Sequence, residues 1–447
     1  MNSTPRVTFD TSIEYFARTL LETLGRDAVE NGVIIRDGSG HLSFASNTPA
    51  NGKREEIVAK LKSAVQSYAR PDRILSFQNE YGVDRILADP SFVPLSLGDL
   101  TVRLLDRRIV GSAWLESPAS VKQLDAAARL VFASLKGGVG RSTALAVAAA
   151  DLARRNRNTL VIDLDFEAPG LGDFLLGDDR IPDFGTVDFL VENAITPLVD
   201  NELDCFVGVS GLTAPGGGRV DVVPSFGKTA GKHPENVLAK LSRAMIEEVA
   251  SDREALSVTG RISQLIDRLT ERGHYDAILI DSRAGLSELM APAILGLGAT
   301  VLLFGTAQKQ TIEGYRALFA GLKLLAERDR MRGDDASWRS LFKPVHAKAS
   351  LDPDSTARYR DELYYLFSEF LYDAEEAPAL QPEAFTFDID DPTAPHSPLI
   401  IPFNPSFAEF DSARHTNQLT QAFYEQTFRQ FMDGLDEIIA GAADLAA

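Results

Sequence analysis

Apolar residues follow two different rhythms along this chain, and the change comes near residue 128. In the first 120 or so residues, Ile13, Phe16, Leu20 and Leu24 recur at intervals of three and four, as do Ile57, Leu61, Val65 and Tyr68. That spacing predicts two amphipathic helices. Between them, GVIIRDG and HLSFAS read as short strands joined by a Gly-Ser-Gly turn at 38–40, a hairpin pattern. A further apolar pattern, TVRLLDRRIVGSAWL, ends the region. Residues 1–122 are therefore expected to form a small α/β domain. It carries no catalytic constellation, and its charged trio Asp106, Arg107 and Arg108 reads most simply as an exposed or internally paired cluster, with contact to a phosphate or a partner as the alternative.

Beyond 128 the apolar positions gather into short continuous runs: LVFASL (130–135), TLVIDLD (159–165), DVVP (221–224), DAILID (276–281), TVLLFGT (300–306) and PLIIPF (398–403). Runs without in/out alternation fit strands buried on both faces of a parallel sheet. Helical stretches separate most of them, the βαβ rhythm of a doubly wound fold. Residues 123–447 are thus expected to be one α/β domain with a mostly parallel sheet. Polar or Pro/Gly-containing insertions interrupt it near 166–220 and 373–398, the second holding Pro378, Pro382, Pro392, Pro395 and Pro398. At the end, Leu419, Phe423, Tyr424, Phe428, Phe431, Leu435, Ile438 and Ile439 recur at helical spacing. The polar face of that helix carries Glu425, Asp433, Asp436 and Glu437 against Arg429. Anionic lipid repels such a face, so the helix is expected to pack on the core.

Composition narrows the function classes. The 447 residues include 45 basic and 64 acidic side chains, a net charge of −19. That mean field opposes binding to nucleic acid or anionic lipid unless a local basic patch overrides it. One cysteine, Cys205, excludes an intrachain disulfide framework, and the six histidines form no HxH or HxxxH pair. No apolar run approaches the roughly 20 residues of a membrane helix, and the N-terminus lacks the apolar block of a secretory signal. A cytoplasmic protein is expected.

The chemistry is concentrated in LVFASLKGGVGRSTALAVAAADLARR: a strand, a glycine-rich turn, then an Ala-rich helix. This is the context of a phosphate-binding loop. Gly137, Gly138 and Gly140, with Val139 between them, permit the backbone to turn its N–H groups toward phosphate oxygens. The new helix adds its free amides and dipole. Ser142 is placed to ligate Mg²⁺, with Thr143 beside it near the α-phosphate. Downstream, Asp163 and Asp165 lie two apart at the end of a strand, sharing one direction. The run YDAILIDSRAGLSE puts Asp281 at the end of another buried strand, the Walker B arrangement for holding water on Mg²⁺.

The segment KGGVGRST resembles the deviant Walker A motif of the ParA/MinD family of P-loop ATPases, usually KGG-x-GK-[ST]-[ST]. The resemblance extends over roughly 128–440. It implies ATP and Mg²⁺ as ligands, and an ATP-dependent sandwich homodimer in which Lys136 reaches the nucleotide of the partner subunit. TLVIDLDFEAPGLG resembles the family's strand-end motif, which implies that Asp165 positions the attacking water and Asp163 stands near Mg²⁺. DSRAG resembles the family's DSPAG turn. Gly285 would let that turn move between nucleotide states, and Arg283, where proline is common, is read as a phosphate sensor or as one half of a salt bridge.

Two departures stand out. Arg141 replaces the family's second lysine, a non-conservative exchange of a point charge for a planar fork. The family's adenine-contacting asparagine has no clear match in LFKPVHAKASLDPDS, although IIPFNPSFAEFD resembles the last strand and following loop, around Pro402 and Pro405. The resulting expectation is a slow or partner-activated ATPase that works as a dimerisation switch and signals to a protein partner. A nucleoid-binding DNA-segregation ATPase and a nucleotide-binding scaffold without turnover are the alternatives.

Overall fold

The structure is a computed structural model that describes residues 6–49, 52–119, 127–212, 217–246, 248–249, 255–373, 384–412 and 415–446. They form two compact units, 1–116 together with 323–334, and 117–322 together with 335–447.

In the first unit the two periodic segments are helices, Phe9–Leu24 and Arg54–Val65. Each turns its apolar stripe inward, so that Phe16, Leu20, Ile57 and Leu61 are buried. The hairpin is present as β1 (Val33–Arg36) and β2 (Leu42–Ser46), paired antiparallel. Three further strands, β3 (Leu75–Phe77), β4 (Val93–Leu97) and β5 (Leu100–Asp106), complete a mixed sheet in the order β3-β2-β1-β5-β4. Asp106, on β5, accepts two hydrogen bonds from Arg36 at 2.8 and 3.0 Å and one from Arg108 at 2.8 Å, while Arg107 pairs with Asp89. Internal ion pairs therefore occupy all three members of this charged trio.

In the second unit, all six continuous apolar runs become strands: β6 (Ala128–Ser134), β7 (Thr159–Asp163), β9 (Val220–Val223), β12 (Ala277–Ala284), β13 (Thr300–Gly305) and β15 (Leu399–Pro402). With the edge strand β8 (Gly208–Val209) and with β14 (Phe342–Ala349), they build an eight-stranded sheet ordered β15-β14-β13-β6-β12-β7-β9-β8. Every pairing is parallel except β8 with β9. A separate antiparallel pair joins β10 (Glu248–Val249) to β11 (Ala255–Leu256).

The strands are buried on both sides, which is why their sequences run apolar without alternation. One face presents Leu130, Phe132, Leu279, Leu302 and Phe304 to a core shared with the helix Arg141–Arg154 and the C-terminal helix Gln421–Ala446. There Phe132 stacks on Phe304 at 5.7 Å, and Phe431 meets both rings edge-on. Tyr424, Phe428 and Leu435 join the same core, so the terminal helix is a packing element. The alternate residues Val131, Ile278, Ile280 and Leu303 are equally buried. The helix Met290–Leu295 covers β6 and β12, and Pro353–Phe370 covers β14.

The stretch 166–220 contains more regular structure than its composition predicts. It holds the helices Leu171–Leu175 and Thr186–Ile195, the latter burying Phe189 and Leu190. In the insertion at 373–398, Pro378 and Pro382 lie outside the described residues, and 384–398 has neither helix nor strand.

Candidate functional site

Strand β12 lies between β6 and β7, with Asp281 level with Asp163 on one side and Phe132 on the other. This register brings three motifs, spread over more than a hundred residues of chain, to the same carboxyl edge, where open parallel sheets bind ligands. β6 ends at Ser134, and residues 135–140 turn into the helix that begins at Arg141. Gly138 and Gly140 have φ values of +73° and +91°, conformations that favour glycine. A Cβ on Gly137, Gly138 or Gly140 would meet no protein atom within 4 Å. Packing therefore does not demand glycine at these positions; backbone conformation does at Gly138 and Gly140, and all three leave open space against the backbone. Gly140 caps the helix with no side-chain hydrogen bond, which leaves its first-turn amides for an anion.

The loop borders a cleft of about 660 Å³ whose lining includes 137–143, Asp165, Arg283 and Lys348. An apolar side chamber adjoins it, sharing Val139, Gly140 and Thr143 and walled by Pro402, Phe403, Asn404 and Phe407. Two hard oxygen donors meet beneath the loop, where the Ser142 hydroxyl donates to Asp281 at 2.6 Å. A hydroxyl and a carboxylate are what Mg²⁺ takes from a protein when substrate phosphates and water supply the rest. Backbone amides, an open glycine cradle and this oxygen pair suit a nucleotide with its metal.

Arg141 turns inward. Its guanidinium donates to Asp281 at 2.5 Å and to Asp165 at 2.7 Å, with a longer contact to Ser134 at 3.4 Å. Asp165 also accepts from the Ala168 amide at 3.2 Å. Asp163 is fully buried, and its two oxygens accept backbone N–H groups of Asp165 at 2.9 Å and Leu171 at 3.4 Å. Burial, and then the charge of Asp281, push the Asp163 carboxyl up to about 7. Asp281 is raised too, because burial outweighs the attraction of Arg141 and the bond from Ser142. Burial alone would lower Arg141, but Asp281 and Asp165 hold it above its ordinary value.

Lys136 is exposed, outside the cleft lining, with its ammonium 3.1 Å from the Gln308 side-chain oxygen. Arg283 forms an ion pair with Glu167 across the cleft mouth. Gly285 has φ +92°, and its amide donates to the Ser134 carbonyl at 2.9 Å, tying the turn after β12 to the end of β6. Lys348 was not legible in the sequence. It lines both cleft and chamber and donates to the Gly138 carbonyl at 2.7 Å. The one signal was a lysine in a segment read only for a missing asparagine, within a strand disguised by Pro344 and by alternating Lys and His.

Among the described residues no cluster of three or more His, Cys, Asp or Glu side chains is arranged to hold a metal ion, and no helix is long and apolar enough to cross a membrane. A comparison with curated proteins finds no match. Among solved structures, a plasmid partition protein from Borrelia burgdorferi is 20% identical, covering 46% of this chain and 73% of that one with a TM-score of 0.30. The MinD cell division protein of Aquifex aeolicus is 16% identical, covering 70% and 97% with a TM-score of 0.41. Cobyrinic acid a,c-diamide synthase from Mycobacterium smegmatis, solved with ADP and magnesium, is 18% identical, covering 46% and 69% with a TM-score of 0.31. Residues 130–345 match the CbiA family, described as the CobQ/CobB/MinD/ParA nucleotide binding domain. Those residues, just under half of the chain, are thus similar to the CobQ/CobB/MinD/ParA nucleotide binding domain.

Proposed function

We propose that this chain is an Mg²⁺-dependent ATPase whose nucleotide state controls homodimerisation and thereby signals to a protein partner. The observation that carries the proposal is the meeting of an open glycine loop, the Ser142–Asp281 oxygen pair and Asp165 on one cleft. Bound Mg²⁺ would neutralise charge on the phosphates and fix their geometry. The backbone of 137–143 would hold the phosphate chain, Ser142 and Asp281 the metal and its water. Asp165 would orient the attacking water. It first has to give up its bond to Arg141, whose fork then has phosphate oxygens to engage. That exchange accounts for slow turnover. Lys136 is exposed and stands outside its own cleft, in keeping with a residue that completes the site of a second copy. In the same proposal, the domain over 1–122 reads the state of the domain over 123–447.

Light scattering tests the switch. Mg²⁺ with a non-hydrolysable ATP analogue is expected to shift wild type from monomer to dimer and to leave Lys136→Ala monomeric. A mass independent of nucleotide would overturn the switch. Phosphate release in steady state is expected to exceed that of Asp165→Ala. Equal rates would leave a binding scaffold, the reading that the Arg141–Asp165 ion pair favours. ATP-dependent, salt-sensitive retention on duplex DNA would instead support a segregation ATPase.

A further inference from the structure

The structure assigns Lys348 to the nucleotide site: we propose that its ammonium contacts the α-phosphate and ribose end of a bound nucleoside di- or triphosphate, where the phosphate cleft opens into the apolar chamber. This inference rests on the nucleotide reading above. Three observations lead to it.

The first is conformation. Lys348 has φ +52°, one of four described non-glycine residues with positive φ. A lysine there stores strain on the order of 1 kcal/mol or more that glycine would not. Core packing does not repay that strain, because the side chain is exposed and its one hydrogen bond among the described residues is to the phosphate loop.

The second is register. β14 and β15 pair regularly through Ala347 and then slip, so that Ala349 faces Pro402 and Lys348 is the extra residue. Such a bulge re-aims one side chain and is favoured beside binding sites. Here it sends a cation across to the phosphate loop.

The third is position. The ammonium reaches the Gly138 carbonyl at 2.7 Å, an acceptor on a loop whose amides serve the anion. Among the described residues that is the one hydrogen bond recorded for it, and an ammonium has three donors. Lys348 is also a wall of both compartments, together with Val139, Gly140, Thr143 and Phe407. A nucleotide with its phosphates along 137–143 and its base toward the mouth of the apolar chamber would pass this residue at the sugar and first phosphate. The contact therefore serves diphosphate and triphosphate alike.

Two variants test this by calorimetric titration of the full-length protein with ADP and with ATP. Lys348→Gly keeps the backbone conformation and removes the cation, while Lys348→Met keeps the length of the side chain. Each is expected to weaken ADP and ATP about equally, roughly 10-fold, and to flatten the salt dependence of binding, since one exposed charge pair is lost. Lys348→Gly is expected to be no less heat-stable than wild type, which separates loss of contact from loss of fold. Unchanged affinity for both nucleotides would overturn the assignment, as would weaker binding with an unaltered salt dependence, the signature of a lost loop brace. If wild type itself bound neither nucleotide, the nucleotide reading would fail instead.

Discussion

Removing the Arg141 guanidinium should cost the second unit more stability than any exposed substitution, because two buried carboxylates bond it in a cluster that also holds Asp163. Arg141 is 7% exposed, and Asp163, Asp165 and Asp281 are 0%, 6% and 2% exposed. Two of them bond the arginine directly, at 2.5 and 2.7 Å. With charge centres about 4 Å apart and an effective dielectric constant of about 20, each pair attracts by about 4 kcal/mol. Desolvation cancels much of that gain, yet removing one partner strands buried charge, which costs about 3–5 kcal/mol. At about 2 °C per kcal/mol for a domain of this size, Arg141→Ala should melt about 6–10 °C lower. Trp338 is buried in the second unit and Trp114 lies in the first. Fluorescence in a Trp114→Phe background therefore reports the relevant transition alone. The deficit should shrink as pH falls, since burial raises Asp281 above its ordinary value and a protonated carboxyl needs no counter-ion. Arg141→Lys, which keeps the charge, should recover part of it. An Arg141→Ala transition at the wild-type temperature, or a deficit that grows as pH falls, would refute the idea that this ion-pair network stabilises the edge of the sheet.

Burial pushes His346 down to about 4 against an ordinary value near 6.5, and its Nδ1 has no hydrogen-bond partner among the described residues. A group depressed in the folded state gives stability that is full above pH 6.5 and is lost as pH falls toward 4, here about 3 kcal/mol. His346→Phe should lose correspondingly less over that range in urea titrations at several pH values. An identical acid profile for the two proteins would count against it. Phe431 is fully buried between Phe132 and Phe304, so Phe431→Ala should destabilise the second unit by about 3–5 kcal/mol. A denaturation midpoint unchanged from wild type would show that the terminal helix is dispensable to the core.

By itself, the sequence determined the elements whose pattern is local. Continuous apolar runs mark strands buried on both faces, and the six found that way are all present in the sheet. Gly137, Gly138 and Gly140 between a strand and an Ala-rich helix mark an anion-binding turn, a local signal because the backbone conformation at Gly138 and Gly140 favours glycine. The pattern did not show β14, since Pro344 and the alternating Lys and His conceal a strand that neighbours on both sides sustain. It also could not show where charges end up. Arg141 resembles a phosphate-binding cation in the sequence, but the parallel register of β6, β12 and β7 sets two aspartates within reach of its side chain. Asp163 and Asp165 share a spacing, yet one is held by backbone amides and the other faces the cleft. Lys348 joins the phosphate loop only through a bulge. Periodicity encodes which face of an element is apolar. Which charged groups meet depends on strand order and register, and these follow from packing the whole sheet.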